Sequence, residues 1–173
     1  MTGYPYQYKT SMAGDVDAPY MKRRHLYEFV SPKSHETYMV WVEEYEDDFY
    51  AIKFHLRRDK KNKNKYAVMT GLKEALPVLN TCMTIMASVA QLNEYSSFGF
   101  IGANMDGESV ENTKRYRVYS RLAATYVSEE LFEHHINVKK SAYILVRKKA
   151  LLRNPQLISD VNKKFLEMYP TLE

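Results

Sequence analysis

The chain has 173 residues, 45% hydrophobic, 13% aromatic and 27% charged, which is one domain's worth of chain with enough apolar material for a core. Six Gly and six Pro exclude a collagenous or linker-dominated protein, and a single cysteine excludes a disulfide framework or a thiolate zinc cluster. Lys and Arg number 25 against 21 acids, a modest surplus of +4, and no apolar run reaches the roughly 18 residues of a membrane span.

Residues 1–20 have no apolar core and no basic leader, so a secretory signal is not expected and the protein reads as cytoplasmic. Tyr4, Tyr6, Tyr8 and Tyr20 interleave there with Gly3, Pro5, Gly14 and Pro19 without helical or strand period. The segment reads as an irregular, Tyr-rich arm, either a disordered terminus or a strap for a partner or for its own domain. Residues 21–173 read as a single α+β domain.

That domain opens with an antiparallel meander. Residues 25–30 are aromatic and branched, and Ser31 to Ser34 supply a turn. In 36–46, Tyr38, Val40 and Val42 face one way, Met39 and Trp41 the other. In 49–57 the alternation is cleanest, with Tyr50, Ile52, Phe54 and Leu56 opposed to Ala51, Lys53, His55 and Arg57. Residues 65–69 predict a fourth short strand. The block between the last two, Arg57-Arg58-Asp59-Lys60-Lys61-Asn62-Lys63-Asn64-Lys65, carries six positive charges against one negative. It reads as a solvated hairpin loop.

After Gly71 the period changes. Leu76, Leu79, Cys82, Met83, Met86, Val89 and Ala90 recur at helical steps, widened by Val78, Ile85 and Leu92, which predicts a buried central helix over 74–92. Pro77 fits only in its first turn. A strand follows over 97–103, whose glycines Gly99 and Gly102 mark close approach of another backbone or a ligand. A second helix is expected from Ser109 to about Tyr126 with Val110, Tyr116, Tyr119, Leu122, Ala123 and Tyr126 inward. A short capped helix is expected over 131–134, a strand over 141–146, and a last helix over 156–168 that packs through Leu157, Val161 and Phe165.

The order strand, central helix, strand, second helix, closing strand over 66–149 is similar to that of the GCN5-related N-acetyltransferase superfamily. Asn112 and Tyr119 reproduce that family's Asn…Tyr spacing on the second helix. The resemblance implies that Tyr119 is the general acid for the departing thiolate and that Asn112 contacts the pantetheine arm of acetyl-CoA. The family's glycine-rich pyrophosphate turn is absent. Its place reads Met69-Thr70-Gly71-Leu72-Lys73-Glu74-Ala75-Leu76-Pro77, with one glycine, and with a carboxylate where an anion should sit. An active enzyme would need another phosphate grip, from Lys73 or Arg115. The expectation is therefore an acetyltransferase-like fold with a degenerate cofactor loop and no cofactor, acetyl-CoA being the alternative.

Lys114, Arg117 and Arg121 fall at i, i+3 and i+7 of the second helix. They read either as a solvated face or as an anion-binding ridge that Arg57, Arg58, Lys60, Lys61 and Lys63 extend. Aromatic residues interleaved with Arg also suit single-stranded nucleic acid. His134-His135 has no acid or thiol in ligand spacing, so no metal site is expected, and Cys82 reads as an inert core thiol. The expected role is a non-catalytic binding domain that contacts protein or nucleic acid through the basic helix face, with no membrane partner. The alternatives are an active acetyl-CoA-dependent N-acetyltransferase and a single-stranded nucleic-acid-binding protein. Self-association through the arm or the last helix is a further possibility.

Overall fold

The computed structural model describes residues 3–63, 65–66, 72–102, 108–109 and 111–168. It contains β1 (Gln7–Ala13), β2 (Met21–Val30), β3 (Thr37–Tyr45), β4 (Phe49–Leu56), α1 (Ala75–Leu92), β5 (Ser97–Ile101), α2 (Lys114–Tyr126), β6 (Phe132–Asn137), β7 (Ala142–Arg147), α3 (Lys148–Arg153) and α4 (Leu157–Met168). The strands form one seven-stranded sheet in the order β1-β2-β3-β4-β5-β7-β6. The α+β class and the single small domain follow directly.

β1 to β4 are an antiparallel meander, and α1 carries the chain across to β5, which lies parallel to β4. That parallel joint is short, with Phe49 opposite Ser97, Tyr50 opposite Phe98 and Ala51 opposite Gly99. β7 inserts between β5 and β6, antiparallel to both.

The alternation along β4 sorts its side chains between two cores. Tyr50, Ile52, Phe54 and Leu56 join Val78, Leu79, Met83 and Ile85 of α1 and Tyr116, Tyr119 and Leu122 of α2 on one face of the sheet. On the other face Phe49 and Ala51 meet Ile144 and Val146 of β7, Ala150 of α3, and Leu157 and Val161 of α4. Buried on both sides, β7 reads as an apolar run from Ala142 to Val146 rather than an alternating one, and ends in the buried Arg147.

α1 begins at Ala75, so Pro77 does lie in its first turn. Leu76 and Leu92, at the two ends of the predicted stripe, are exposed. With 18 residues and a mean hydropathy of 1.4, α1 meets the length and composition of a membrane span, contrary to the expectation from the sequence. Its buried residues lie against the sheet and α2, which is the packing of a core helix.

Several local expectations are corrected. Residues 7–13 of the supposed irregular arm form β1, paired with β2 along the sheet edge. Residues 65 and 66 lie in a turn, and 67–69 of the predicted fourth strand fall outside the described residues. α2 starts at Lys114 rather than Ser109, because Asn112 takes a φ of 51° and Thr113 caps the helix, its Oγ1 accepting from the Tyr116 amide at 3.1 Å. Residues 132–137 are a strand rather than a helix, since pairing with β7 outweighs the cap-like Ser128-Glu129-Glu130. Tyr126, expected inward on α2, is half exposed at its last turn, Val110 lies outside the described residues, and α3 was not expected. Leu157 and Val161 of α4 are buried as predicted, while the Phe165 side chain lies outside the described residues.

Gly102 meets the predicted close approach. A Cβ there would lie 2.3 Å from the Tyr116 amide nitrogen and 2.5 Å from Thr113 Oγ1. Hydrogen bonds hold the approach: the Thr113 side-chain Oγ1 donates to the Gly102 carbonyl at 2.6 Å, and the Gly102 amide donates to the Ser141 carbonyl at 2.9 Å.

Candidate functional site

The region the resemblance singles out lies where β4 and β5 part beyond their three paired positions, with α1 and α2 packed over it. Four residues were expected to act there, and α2 carries two of them inward. Tyr119 is 3% exposed, with its ring 4.8 Å from that of Phe100 on β5. Its hydroxyl shares a hydrogen bond with Cys82 of α1. Burial pushes the Tyr119 phenol well above its ordinary pKa, and burial likewise raises the Cys82 thiol to about 12. Both groups therefore stay protonated at neutral pH. Cys82 is the inert core thiol its helix predicts.

Arg115 is 8% exposed, its guanidinium 4.6 Å from the Phe54 ring centre and bonded to the Tyr66 carbonyl. Burial lowers its pKa, opposed by Tyr119 and Cys82. Arg115 is thus a core residue tying α2 to β4 and to the turn at Tyr66, and it does not extend into solvent as a phosphate grip would.

The other two expected contacts lie elsewhere. Asn112 is exposed and precedes α2, outside the helix on which the resemblance had set it. Its amide donates to the Val138 carbonyl at 2.9 Å, and its own carbonyl accepts from the Arg117 guanidinium. Lys73 is exposed at a φ of 52°, its carbonyl accepting from Lys33 Nζ at 3.1 Å. The structure brings Tyr119 and Arg115 together and leaves Asn112 and Lys73 apart from them.

At the start of α1, Glu74 is 3% exposed and holds a cluster of hydroxyls. It accepts from Ser31 Oγ at 2.5 Å, Tyr38 OH at 2.7 Å, Ser34 Oγ at 2.8 Å and Tyr4 OH at 3.5 Å. Burial pushes its carboxyl up, but the bonds from Ser31, Tyr38, Ser34 and Tyr4 outweigh that and hold it below the usual carboxylate range. A negative charge is therefore fixed at the start of α1. The Tyr4 amide also donates to Thr81 Oγ1 of α1 at 2.8 Å, so the N-terminal segment straps its own domain here.

The basic residues divide. Arg57 pairs with Glu28 at 2.6 Å and Arg58 with Glu36 at 3.1 Å, so these two side chains are committed within the fold. Lys60, Lys61 and Lys63 are exposed, as are Lys114, Arg117 and Arg121 on the outer face of α2. Among the described residues the side chains of Lys114, Arg117 and Arg121 make no ion pair, and the Glu108 carboxylate accepts from the Lys114 backbone amide at 2.9 Å. The bond from Arg115 to the Tyr66 carbonyl holds the turn after the lysine block beside the first turn of α2.

Sequence reasoning missed a polar cluster on the sheet face turned away from α1. His55, which the alternation sets on the polar face of its strand, is buried between the Trp41 indole and Tyr66. Lys53 pairs there with Glu43 at 3.0 Å and lies 5.4 Å from the Tyr66 ring, and Arg24 stacks over Trp41. The only signal in the sequence is the run of large polar and aromatic side chains at alternate positions of neighbouring strands. No protein family, curated protein or solved structure gives a significant match to this chain.

Proposed function

We propose that the chain is an acetyltransferase-like domain that acts by binding and not by acyl transfer. The observation that carries this reading is that Tyr119, Arg115 and Glu74 are all spent inside the fold. A general acid must come within hydrogen-bond reach of its leaving group, and Tyr119 is instead sealed against Phe100 and Cys82. A pyrophosphate cradle needs free amides and no competing anion, whereas the Glu74 carboxylate already occupies the start of α1. What remains open to a partner is the outer face of α2, with Lys114, Arg117 and Arg121, continued by Lys60, Lys61 and Lys63. An anionic partner, protein or nucleic acid, suits that face through Arg forks and phosphate or carboxylate neutralisation.

One feature favours the catalytic alternative: two parallel strands that separate after three residue pairs, with the central helix between them in the chain. Calorimetry with acetyl-CoA separates the readings. The binding-domain reading expects no heat of saturable binding. Micromolar binding that weakens in Tyr119→Phe or Asn112→Ala overturns it.

For the basic face, fluorescence anisotropy with a labelled single-stranded oligonucleotide is the direct test. A nucleic-acid partner predicts affinity that falls steeply with salt and is lost in Arg117→Glu/Arg121→Glu. Absence of binding, or binding indifferent to salt, removes nucleic acid as the partner and leaves an acidic protein surface.

A further inference from the structure

A groove of about 470 Å³ lies at the far end of α1 from Glu74, between the edge of the sheet and the helix C-terminus. Its walls are aromatic. Tyr8 of β1 and Tyr27 of β2 meet edge to face at 5.1 Å, and Tyr50 of β4 lines the groove with them. Val89 and Leu92 of α1 form the apolar side, Leu92 being 89% exposed.

A backbone irregularity puts Tyr8 in this wall. The register of β1 against β2 shifts between Tyr8 and Thr10, so Tyr8 stands opposite Tyr27 while Thr10 stands opposite Leu26. Bulges of this kind re-aim single side chains at sheet edges. The Tyr8 side chain is nevertheless 53% exposed, held at its tip by its hydroxyl, 3.3 Å from His25 Nδ1.

Glu44 is the carboxylate that lines the groove. His25 Nε2 lies 3.1 Å from the Glu44 carboxylate, so with its proton on Nε2 the imidazole donates to Glu44 and accepts from Tyr8. Opposite, Asn93 Nδ2 donates to Tyr50 OH at 3.1 Å and to the Asp48 carboxylate at 2.9 Å, which sets a second negative charge behind that wall. No Lys or Arg lines the groove. Lys22 Nζ lies 4.0 Å from Glu44 and is largely exposed, and Arg23 stands opposite Glu44 in the strand register, its guanidinium turned to Ser11 Oγ at 2.7 Å.

We propose that this groove binds an organic cation, an alkylated ammonium group held among the faces of Tyr8, Tyr27 and Tyr50 with Glu44 as counter-charge. Aromatic faces attract such cations, and desolvated walls strengthen the attraction. No Lys or Arg side chain lines these walls to pair with an anion. A wholly apolar ligand would strip water from Glu44 without replacing its bonds. A metal ion is not favoured, since among the described residues no group of three His, Cys, Asp or Glu side chains converges. The site shares no residue with the α2 face and only Tyr50 with the β4–β5 joint, so it stands or falls separately from the function proposed above.

The test is a titration of the full chain, carrying carbon-labelled tyrosine, with choline chloride, followed by NMR of the ring resonances. Choline is expected to move Tyr8, Tyr27 and Tyr50 saturably at about millimolar concentration or below. Its neutral isostere, in which carbon replaces the quaternary nitrogen, is expected to bind about tenfold more weakly. Glu44→Gln should weaken choline about tenfold, and Lys22→Met, at an exposed position, should tighten it about threefold. Equal binding of the isostere, tighter binding of benzoate, or no saturable shift with choline overturns the proposal. A choline response unchanged in both Glu44→Gln and Lys22→Met overturns it as well.

Discussion

Trp41 Nε1 donates a hydrogen bond to His55 Nε2 at 3.2 Å, and His55 Nδ1 in turn donates to the Leu56 carbonyl at 2.8 Å. With Nε2 accepting from an indole that can only donate, the buried imidazole is fixed as the neutral Nδ1–H tautomer. Protonation requires the Trp41 bond to break and a charge to appear in the interior.

The first prediction is a pH dependence. Burial lowers the His55 pKa, with the Leu56 bond opposing. The unfolded chain therefore takes up a proton below about pH 6.5 that the folded chain resists, so His55 favours folding fully above that pH and loses its contribution as pH falls toward the lowered folded value. Denaturant melts of the parent and of His55→Gln should differ in slope over that window, the parent alone weakening with acid on account of this group. Trp41 is the sole tryptophan, so its emission reports the same event. Identical slopes would refute the assignment.

Arg147 caps the end of α1 from β7. Its Nη2 donates to the carbonyls of Ala90 at 2.8 Å and Asn93 at 3.2 Å, and the guanidinium lies 4.5 Å from the Phe132 ring centre. Its charge also suits a helix C-terminus. Arg147→Met leaves the Ala90 carbonyl without this donor, while the Asn93 carbonyl keeps its bonds from the Ser96 amide and hydroxyl, and should cost about 2 kcal/mol in chemical denaturation. Arg147→Lys should recover only part, for lack of the planar fork.

Glu74 contributes through its hydroxyl partners. Its carboxyl lies below the ordinary value in the folded state, so it stabilises the fold above about pH 4.3 and that contribution fades as pH falls through the lower folded value. Ser31→Ala removes a 2.5 Å bond and should raise the Glu74 pKa in a carboxyl-observed NMR titration. Glu74→Gln should destabilise by about 2 kcal/mol at neutral pH. An unchanged Glu74 titration in Ser31→Ala would contradict the network.

Gly102→Ala forces a methyl against the Tyr116 amide and Thr113 Oγ1, both fixed at the start of α2. A shift of that helix end should cost about 3 kcal/mol. Measured melting unchanged by this substitution would show that α2 yields without strain.

Leu157→Ala should cost about 3 kcal/mol, since the side chain is buried among residues of β4, β7 and α3. Truncation after Asn154 should expose Phe49 and Val146 and give increased binding of a hydrophobic dye.

The legible parts of the fold were those governed by local period. Tyr50, Ile52, Phe54 and Leu56 announce their common face, and the helical spacing of Tyr116, Tyr119 and Leu122 announces theirs. β1 was hidden because it is a mostly exposed edge strand with a register shift, which leaves no alternation to read. β6 was hidden because its pairing with β7 is long-range while its flanking Ser128-Glu129-Glu130 imitates a helix start. At the candidate site, the inward direction of Tyr119 was readable, but its sealing by Phe100 and Cys82 depends on two other elements. The burial of Arg115 beside exposed Lys114 and Arg117 follows from packing on Phe54, to which an arginine in sequence gives no clue.

The three-residue parallel joint between β4 and β5 has a mechanical consequence. On one side stand four strands wound from consecutive chain, and on the other the β5–β7–β6 trio, so backbone bonding across the seam is far sparser than within either half. Hydrogen exchange should resolve the sheet into two cooperative units, with the amides of Ser97 to Gly99 opening before those of the β2–β3 ladder.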